Sequence, residues 1–319
     1  MLDSAIEIVE TMDGQDVTIL TLPEDVILLI FQLLPQFEVL HNIRMTCKTW
    51  NHYSRDGILW RHIRAQDFVR ETFRIKNFMG FLCDISHFVE ELKIQMDQID
   101  NLQEKQLFFP MLRSLKLYGY SNYNNDSLSW LSRKNDLEKS LKKITMIYPT
   151  LEVLHVNIPS TDFDITCCPI DLKELKVTFW YIEERRKPRR NIGEHFKALT
   201  HLGLRYCKLN NQTVLALLSK LECLESIDLT LTSYDNNIMD DEEIPDKPCS
   251  KRIQKFVLTH THHMFFPRVF MYILLSAHER IRYIDISSIS QKSPTSPRLY
   301  NIAEKCRQLV TLILGNYKE

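Results

Sequence analysis

From Thr21 onward the chain sets its apolar residues at helical spacing, and from about residue 88 it changes to the alternation of strands. In TLPEDVILLIFQLLP, Val26, Ile30, Leu33 and Leu34 recur at helical spacing. Pro23 suits a first helical turn, Glu24 and Asp25 favour the positive helix end, and Pro35 closes the segment. The next stretch, FEVLHNIRMTCKTWNHYS, places Leu40, Ile43, Cys47 and Trp50 on one stripe, with Arg44, Lys48 and Asn51 elsewhere. After an Asp56-Gly57 turn, Leu59, Trp60 and Ile63 predict a short third helix. These three helices carry more large apolar groups than they can cover, an excess that calls for a partner surface.

The second pattern is a repeat. An apolar-x-x-apolar-x-apolar unit starts at Val89, Leu112, Leu151, Leu172, Leu199, Leu224, Ile253, Ile281 and Leu309. Most steps lie within the roughly 20 to 29 residues of leucine-rich repeats. The clearest unit is LTHLGLRYCKLN, where Leu199, Leu202, Leu204, Cys207 and Leu209 take the apolar positions and Asn210 follows. Helical stretches such as QTVLALLSKL and FMYILLSAHERI each predict an apolar stripe packed behind the preceding strand. The expected fold class is therefore α/β: a small N-terminal three-helix module, then a curved leucine-rich-repeat solenoid of about nine strand-helix units. The expected boundaries are an acidic tail over 1–20, the helical module over 21–63, a helical linker over 64–87, and repeats over 88–319. Insertions are expected near 118–135 and 232–249.

Composition narrows the function. With 319 residues and 44% hydrophobic content the chain can bury a sizeable core. Lys plus Arg is 40 and Asp plus Glu is 41, so no overall field draws the molecule to nucleic acid or an anionic membrane. The opening MLDSAIEIVE lacks a basic, then apolar, leader pattern, and no later run offers about 18 uninterrupted apolar residues. A soluble intracellular protein is expected, in the cytoplasm, with the nucleus as the second option. The eight scattered cysteines read as reduced thiols.

The N-terminal module resembles the F-box over residues 22–63, and the whole chain resembles the F-box and leucine-rich-repeat family. Leu22-Pro23, Ile30-Phe31, Leu34, Leu40, Cys47-Lys48, Trp50 and Leu59-Trp60 carry the likeness in order and at near-family spacing. The interval from Leu34 to Cys47 is one residue longer than the usual pattern, and Thr46 stands where a valine commonly precedes the cysteine. The resemblance implies a contact with the Skp adaptor and, through it, a cullin and a RING subunit. It makes the chain a non-catalytic substrate receptor of an SCF-type ubiquitin ligase. The implied adaptor surface is Leu22, Pro23, Ile30, Phe31, Leu34, Leu40, Cys47, Trp50, Leu59 and Trp60, with Trp50 and Trp60 as anchors.

For a target, strand alternation predicts which side chains face the concave surface. It selects Lys93, Lys116, Tyr118, His155, Lys176, His201 and Arg205 in the earlier strands, and Asp228, Lys255, Tyr283 and Asp285 later. The earlier half leans basic, tempered by Glu91 and Glu174, which suggests an acidic or phosphorylated target segment.

Other signals are weaker. EERRKPRR at 183–190 suits a nuclear-import patch or a solvated loop. His260, His262 and His263 have no nearby cysteine pair or carboxylate to complete a zinc site, and adjacent Cys167 and Cys168 lack redox or metal spacing. No glycine-rich phosphate loop and no nucleophile–base pattern stand out, so no cofactor, metal or enzymatic chemistry is expected. The rival readings are a non-ligase F-box scaffold and a plain repeat-domain adaptor.

Overall fold

The computed structural model describes residues 19, 22–68, 75–95, 102, 107–118, 139, 142, 144, 147–148, 150–158, 168–179, 195–206, 211–230, 248–259, 266–287, 302 and 304–314. Nearly all of the expected acidic tail, most of both expected insertions, the 183–190 run, His260, His262, His263, Cys167 and Cys207 lie outside the described residues. The chain divides into two compact units, residues up to 92 with 107–111, and residues 93–106 with 112–319.

The first unit begins with α1 (Glu24–Leu33), preceded by Pro23 and carrying Glu24 and Asp25 in its first turn. Its buried residues are Ile27, Leu28 and Phe31, while Leu33 is 78% exposed. This corrects the expected stripe of Val26, Ile30, Leu33 and Leu34. Six consecutive apolar residues, Val26 to Phe31, carry no phase information, so packing and not periodicity selects the inner face.

The following helical run holds the extra residue noted between Leu34 and Cys47. Gln36–Glu38 and Arg44–Thr46 are α-helical, and Val39–Ile43 between them is a π turn. A π turn is the usual way a helix absorbs one inserted residue without losing its direction. Helix α2 (Lys48–Tyr53) then starts afresh, with the Cys47 Sγ accepting from the Trp50 backbone N–H at 3.4 Å.

The expected third helix is instead a 3-10 turn, Gly57–Trp60, followed by a strand, β1 (His62–Arg64). Asp56 caps the turn by accepting from the Ile58 N–H at 2.8 Å. Gly57 is required there, because a Cβ would lie 2.3 Å from Phe88 Cδ1. Trp60 is buried, donates its indole N–H to Ser54 O at 2.8 Å, and meets Phe81 edge-on with ring centroids 4.9 Å apart. Phe81 lies on α3 (Ile75–Ile85), and Phe68 packs against both Phe78 and Phe81. These aromatic pairs add to the burial term and make the turn, strand and helix one core.

Strands β2 (Glu91–Gln95), β3 (Ser114–Tyr118), β4 (Val153–Ile158), β5 (Glu174–Phe179), β6 (His201–Arg205), β7 (Ser226–Asp228), β8 (Lys255–Val257), β9 (Tyr283–Ile286) and β10 (Thr311–Leu314) follow. Each starts two residues after one of the nine repeat starts read from the sequence. Strands β3 to β10 form one sheet whose order is the order of the chain.

Within the second unit the pairing is parallel and in register. One row across the sheet is Leu115, Leu154, Leu175, Leu202, Ile227, Phe256 and Ile284, all buried. Burying each such side chain contributes roughly 1.5–3 kcal/mol, so this ladder is a large part of the unit's core. Helices α4 (Asn211–Lys220) and α5 (Phe266–Ala277) bury Val214, Leu215, Leu217 and Leu218, and Tyr272, Ile273, Leu274 and Ala277. Both fall where the sequence pattern predicts helices.

The strands share one junction. The carbonyl just before a strand accepts the N–H groups of two consecutive residues at the start of the next. Arg113 O takes Glu152 and Val153, and Lys173 O takes Thr200 and His201. Thr200, Glu225, Gln254 and Arg282 repeat the arrangement at distances from 2.7 to 3.1 Å. In the first unit, Arg61 O takes Glu90 and Glu91 in the same way.

Candidate functional site

Two surfaces were expected to carry function, one in each unit. In the first, the structure separates the predicted adaptor residues into surface and core. Pro23 is exposed, and Leu22, Ile30, Leu34, Leu40, Cys47 and Trp50 are half-buried. Phe31, Leu59 and Trp60 are buried, with Trp60 only 1% exposed. Trp60 is therefore corrected from surface anchor to core pillar: its hydrogen bond to Ser54 and its contact with Phe81 use the ring from inside. Trp50 keeps part of its surface while meeting Phe31 edge-on at 5.5 Å, and its indole N–H is buried with no hydrogen-bond partner among the described residues.

Four residues outside the predicted set add apolar surface: Leu29, Leu33, Met45 and Ile58. Leu29 is 58% exposed and Met45 78%. The excess of apolar groups over what the helices can cover was visible in the sequence, but which residues it falls on was not. A groove of about 440 Å³ brings Phe31, Leu34, Val39, Ile58, Leu59 and Trp60 together. Gln36 braces it, donating from Nε2 to Leu59 O at 2.9 Å and His62 O at 2.8 Å.

In the second unit, register places the predicted target residues on shared rows. One row is Lys116, His155, Lys176, Gly203, Asp228, Val257 and Asp285. Gly203 makes a shallow point in it, and the Lys176 stem lies across the gap, so that a Cβ on Gly203 would come 2.8 Å from Lys176 Cγ. A hollow of about 340 Å³ opens here, lined by Glu174, Lys176, His201, Arg205, Asp228 and Lys255 among others.

The basic lean is largely answered from within. Glu174 Oε1 accepts from His155 Nε2 at 2.8 Å and from Lys176 Nζ at 2.6 Å. The His155 bond first, with Lys176's bond and charge behind it, holds the Glu174 carboxyl down at about 2, against partial burial that pushes it up. Arg205 donates from Nε at 3.0 Å and Nη2 at 2.6 Å to Asp228 Oδ2. Asp228 Oδ1 accepts from the Thr230 N–H at 3.0 Å, which fixes the carboxylate that fixes the arginine. The Lys93 ammonium lies 5.4 Å from the Tyr118 ring centroid, His201 is exposed with Nδ1 2.8 Å from Thr200 Oγ1, and Lys116 is half-buried. An acidic target would therefore share its cations with Glu174 and Asp228.

Among the described residues no cluster of histidine, cysteine and carboxylate side chains is arranged to hold a metal ion, and no helix is long and apolar enough to cross a membrane. Six cysteines, at 47, 83, 168, 223, 249 and 306, are free thiols.

The helical surface and the strand register can now be set beside known proteins. Residues 19–66 match the family model described as F-box-like, which defines the class of the first unit. F-box domains generally bind Skp adaptor proteins. F-box/LRR-repeat protein 22 of Arabidopsis thaliana is 26% identical over 245 residues, covering 74% of this chain and 75% of its own. The domain match and that likeness together make the chain similar to F-box/LRR-repeat proteins.

Proposed function

We propose that this chain is the substrate-recognition subunit of an SCF-type ubiquitin-protein ligase. Its F-box engages the Skp adaptor, and through it a cullin and a RING subunit. Its strand-helix units form a curved leucine-rich-repeat solenoid that recruits a target protein for ubiquitination and proteasomal degradation. The chain positions the target and leaves the chemistry to its partners.

One observation carries the reading. The unit that matches the F-box builds its own core from Ile27, Leu28, Phe31, Leu59 and Trp60, yet leaves Leu29, Leu33, Met45 and Ile58 exposed. Apolar groups that a fold does not need for itself are the means by which it holds a partner, at roughly 1.5–3 kcal/mol for each one fully buried. Leu22→Ala with Pro23→Ala tests it, since neither residue is buried and the fold tolerates their loss. The expected outcome is that adaptor and cullin co-purify with the wild-type chain and that adaptor affinity falls at least ten-fold in the double variant with unchanged circular dichroism. Undiminished adaptor capture by that variant would sink the docking model.

A further inference from the structure

One row of the open face changes its hydrogen-bonding character midway across the sheet. Glu174, His201, Ser226 and Lys255 are successive partners in register, each at the first position of its strand from β5 to β8. All four line the hollow of about 340 Å³. Gly203, paired between Lys176 and Asp228 in the next row, keeps that hollow open by having no side chain.

The bonds already made decide which atoms are left to a guest. Glu174 receives both His155 and Lys176 on Oε1, and no donor among the described residues reaches its Oε2. Thr200 gives its hydroxyl hydrogen to Lys173 O at 2.9 Å, so its oxygen accepts from His201 Nδ1, which leaves Nε2 of the neutral ring as an acceptor. Ser226 brings a hydroxyl and Lys255 an ammonium, both able to donate. Asp228 adds no open acceptor, because Oδ2 accepts from Arg205 and Oδ1 from the N–H and hydroxyl of Thr230. The row therefore runs acceptor, acceptor, donor, donor.

Charge and polarity narrow the guest further. Three carboxylates, Glu174, Glu225 and Asp228, and three cations, Lys176, Arg205 and Lys255, line the hollow, so it favours neither sign. An ammonium or guanidinium would satisfy Glu174 and His201 but has no acceptor for Ser226 and Lys255. A carboxylate or phosphate has no hydrogen for Glu174 and His201. Leu202 is the one apolar residue of the lining, so an apolar guest would strip water from charged groups and return no bond. A carboxamide carries two N–H hydrogens on one side and a carbonyl oxygen on the other, in the order of the row.

We infer that the hollow over Gly203 seats an asparagine or glutamine side chain of the recruited target. Its NH2 group lies toward Glu174 Oε2 and His201 Nε2, and its carbonyl oxygen toward Ser226 and Lys255. This rests on the substrate-receptor reading and names the side chain by which the open face selects a target.

The test is a random heptapeptide library displayed on phage and selected on the full chain, with peptides that also bind the Gly203→Ala chain discarded. A Cβ at that position would come 2.8 Å from Lys176 Cγ and push the lysine stem into the hollow. Asparagine or glutamine is expected to be enriched at one position. A synthetic copy of the leading peptide should lose affinity about ten-fold when its amide residue becomes the matching acid or methionine, as one lost hydrogen bond predicts. It should weaken similarly on the His201→Ala chain, whose exposed substitution site leaves the core untouched. Enrichment of acidic, basic or apolar residues instead, no peptides left after the discard, or affinity unmoved by His201→Ala overturns the proposal. Adaptor capture measured on the same preparation keeps the two readings apart: capture without amide selection removes only the seat, and amide selection without capture removes the receptor.

Discussion

The F-box unit and the parallel sheet spend their apolar residues in opposite ways. The helical unit buries Phe31, Trp60, Phe68 and Phe78 together with aliphatic residues such as Ile27, Leu59 and Ile63, and leaves Leu29, Leu33 and Met45 in water. Among the described residues the sheet hides nearly every aliphatic strand residue, while Leu312, Ile313 and Leu314 of β10 are exposed. The first unit therefore has aliphatic surface beyond what its own core uses. The sheet buries its Leu, Ile and Val in its ladder, so the rows it leaves open are largely polar.

The largest effect separates the two uses of apolar residues within the helical unit. Trp60→Ala removes a buried ring and should cost about 3–5 kcal/mol in urea unfolding. Leu33→Ala should stay within about 0.5 kcal/mol of wild type while weakening adaptor binding. If Leu33→Ala destabilised the fold as much as Trp60→Ala, the contrast drawn here would fail.

A smaller effect sharpens the polar half of the comparison. The Glu174 carboxyl sits at about 2 in the folded chain against an ordinary 4.5, so its stabilisation is complete above the higher value and is lost as pH falls toward the lower one. Glu174→Gln should therefore lower stability by roughly 1 kcal/mol at pH 7, as expected for a partly exposed ion pair, and by nothing near pH 2. A deficit that persisted at pH 2 would show that shape, not charge, matters at that position.

The smallest effect is read on the thiols. Burial pushes Cys249 and Cys306 up to about 11, while Cys83 is exposed. Alkylation at pH 8 should modify Cys83 first and leave Cys249 and Cys306 until unfolding. Early modification of Cys306 would mean that the sheet opens from its β10 end more readily than its core row suggests.

Much of this fold was legible in advance, for physical reasons that also mark where legibility ends. The nine repeat starts work because Leu, Ile and Val at fixed offsets must face one core, so each strand follows two residues behind its start. β1 escaped because a three-residue strand with Ile63 as its one buried member has no period to detect. The phase of α1 was lost in unbroken apolar sequence. The π turn left a trace as one residue too many between Leu34 and Cys47, which only the backbone could convert into a shape. The ion pairs of the open face were hidden because His155 meets Glu174 across strands, where partners depend on register.

The shared junction has a bearing on ancestry. The carbonyls that accept two N–H groups belong to Arg61, Arg113, Glu152, Lys173, Thr200, Glu225, Gln254 and Arg282, which have no side-chain chemistry in common. A main-chain oxygen is inherited with every residue type, so mutation can rewrite these positions indefinitely without touching the seam between one repeat and the next. Only a proline at a donating position would be visible to selection there. Lineages built this way are free to drift far apart in letters while keeping the same scaffold, and to swap the lengths of the connecting segments as they go.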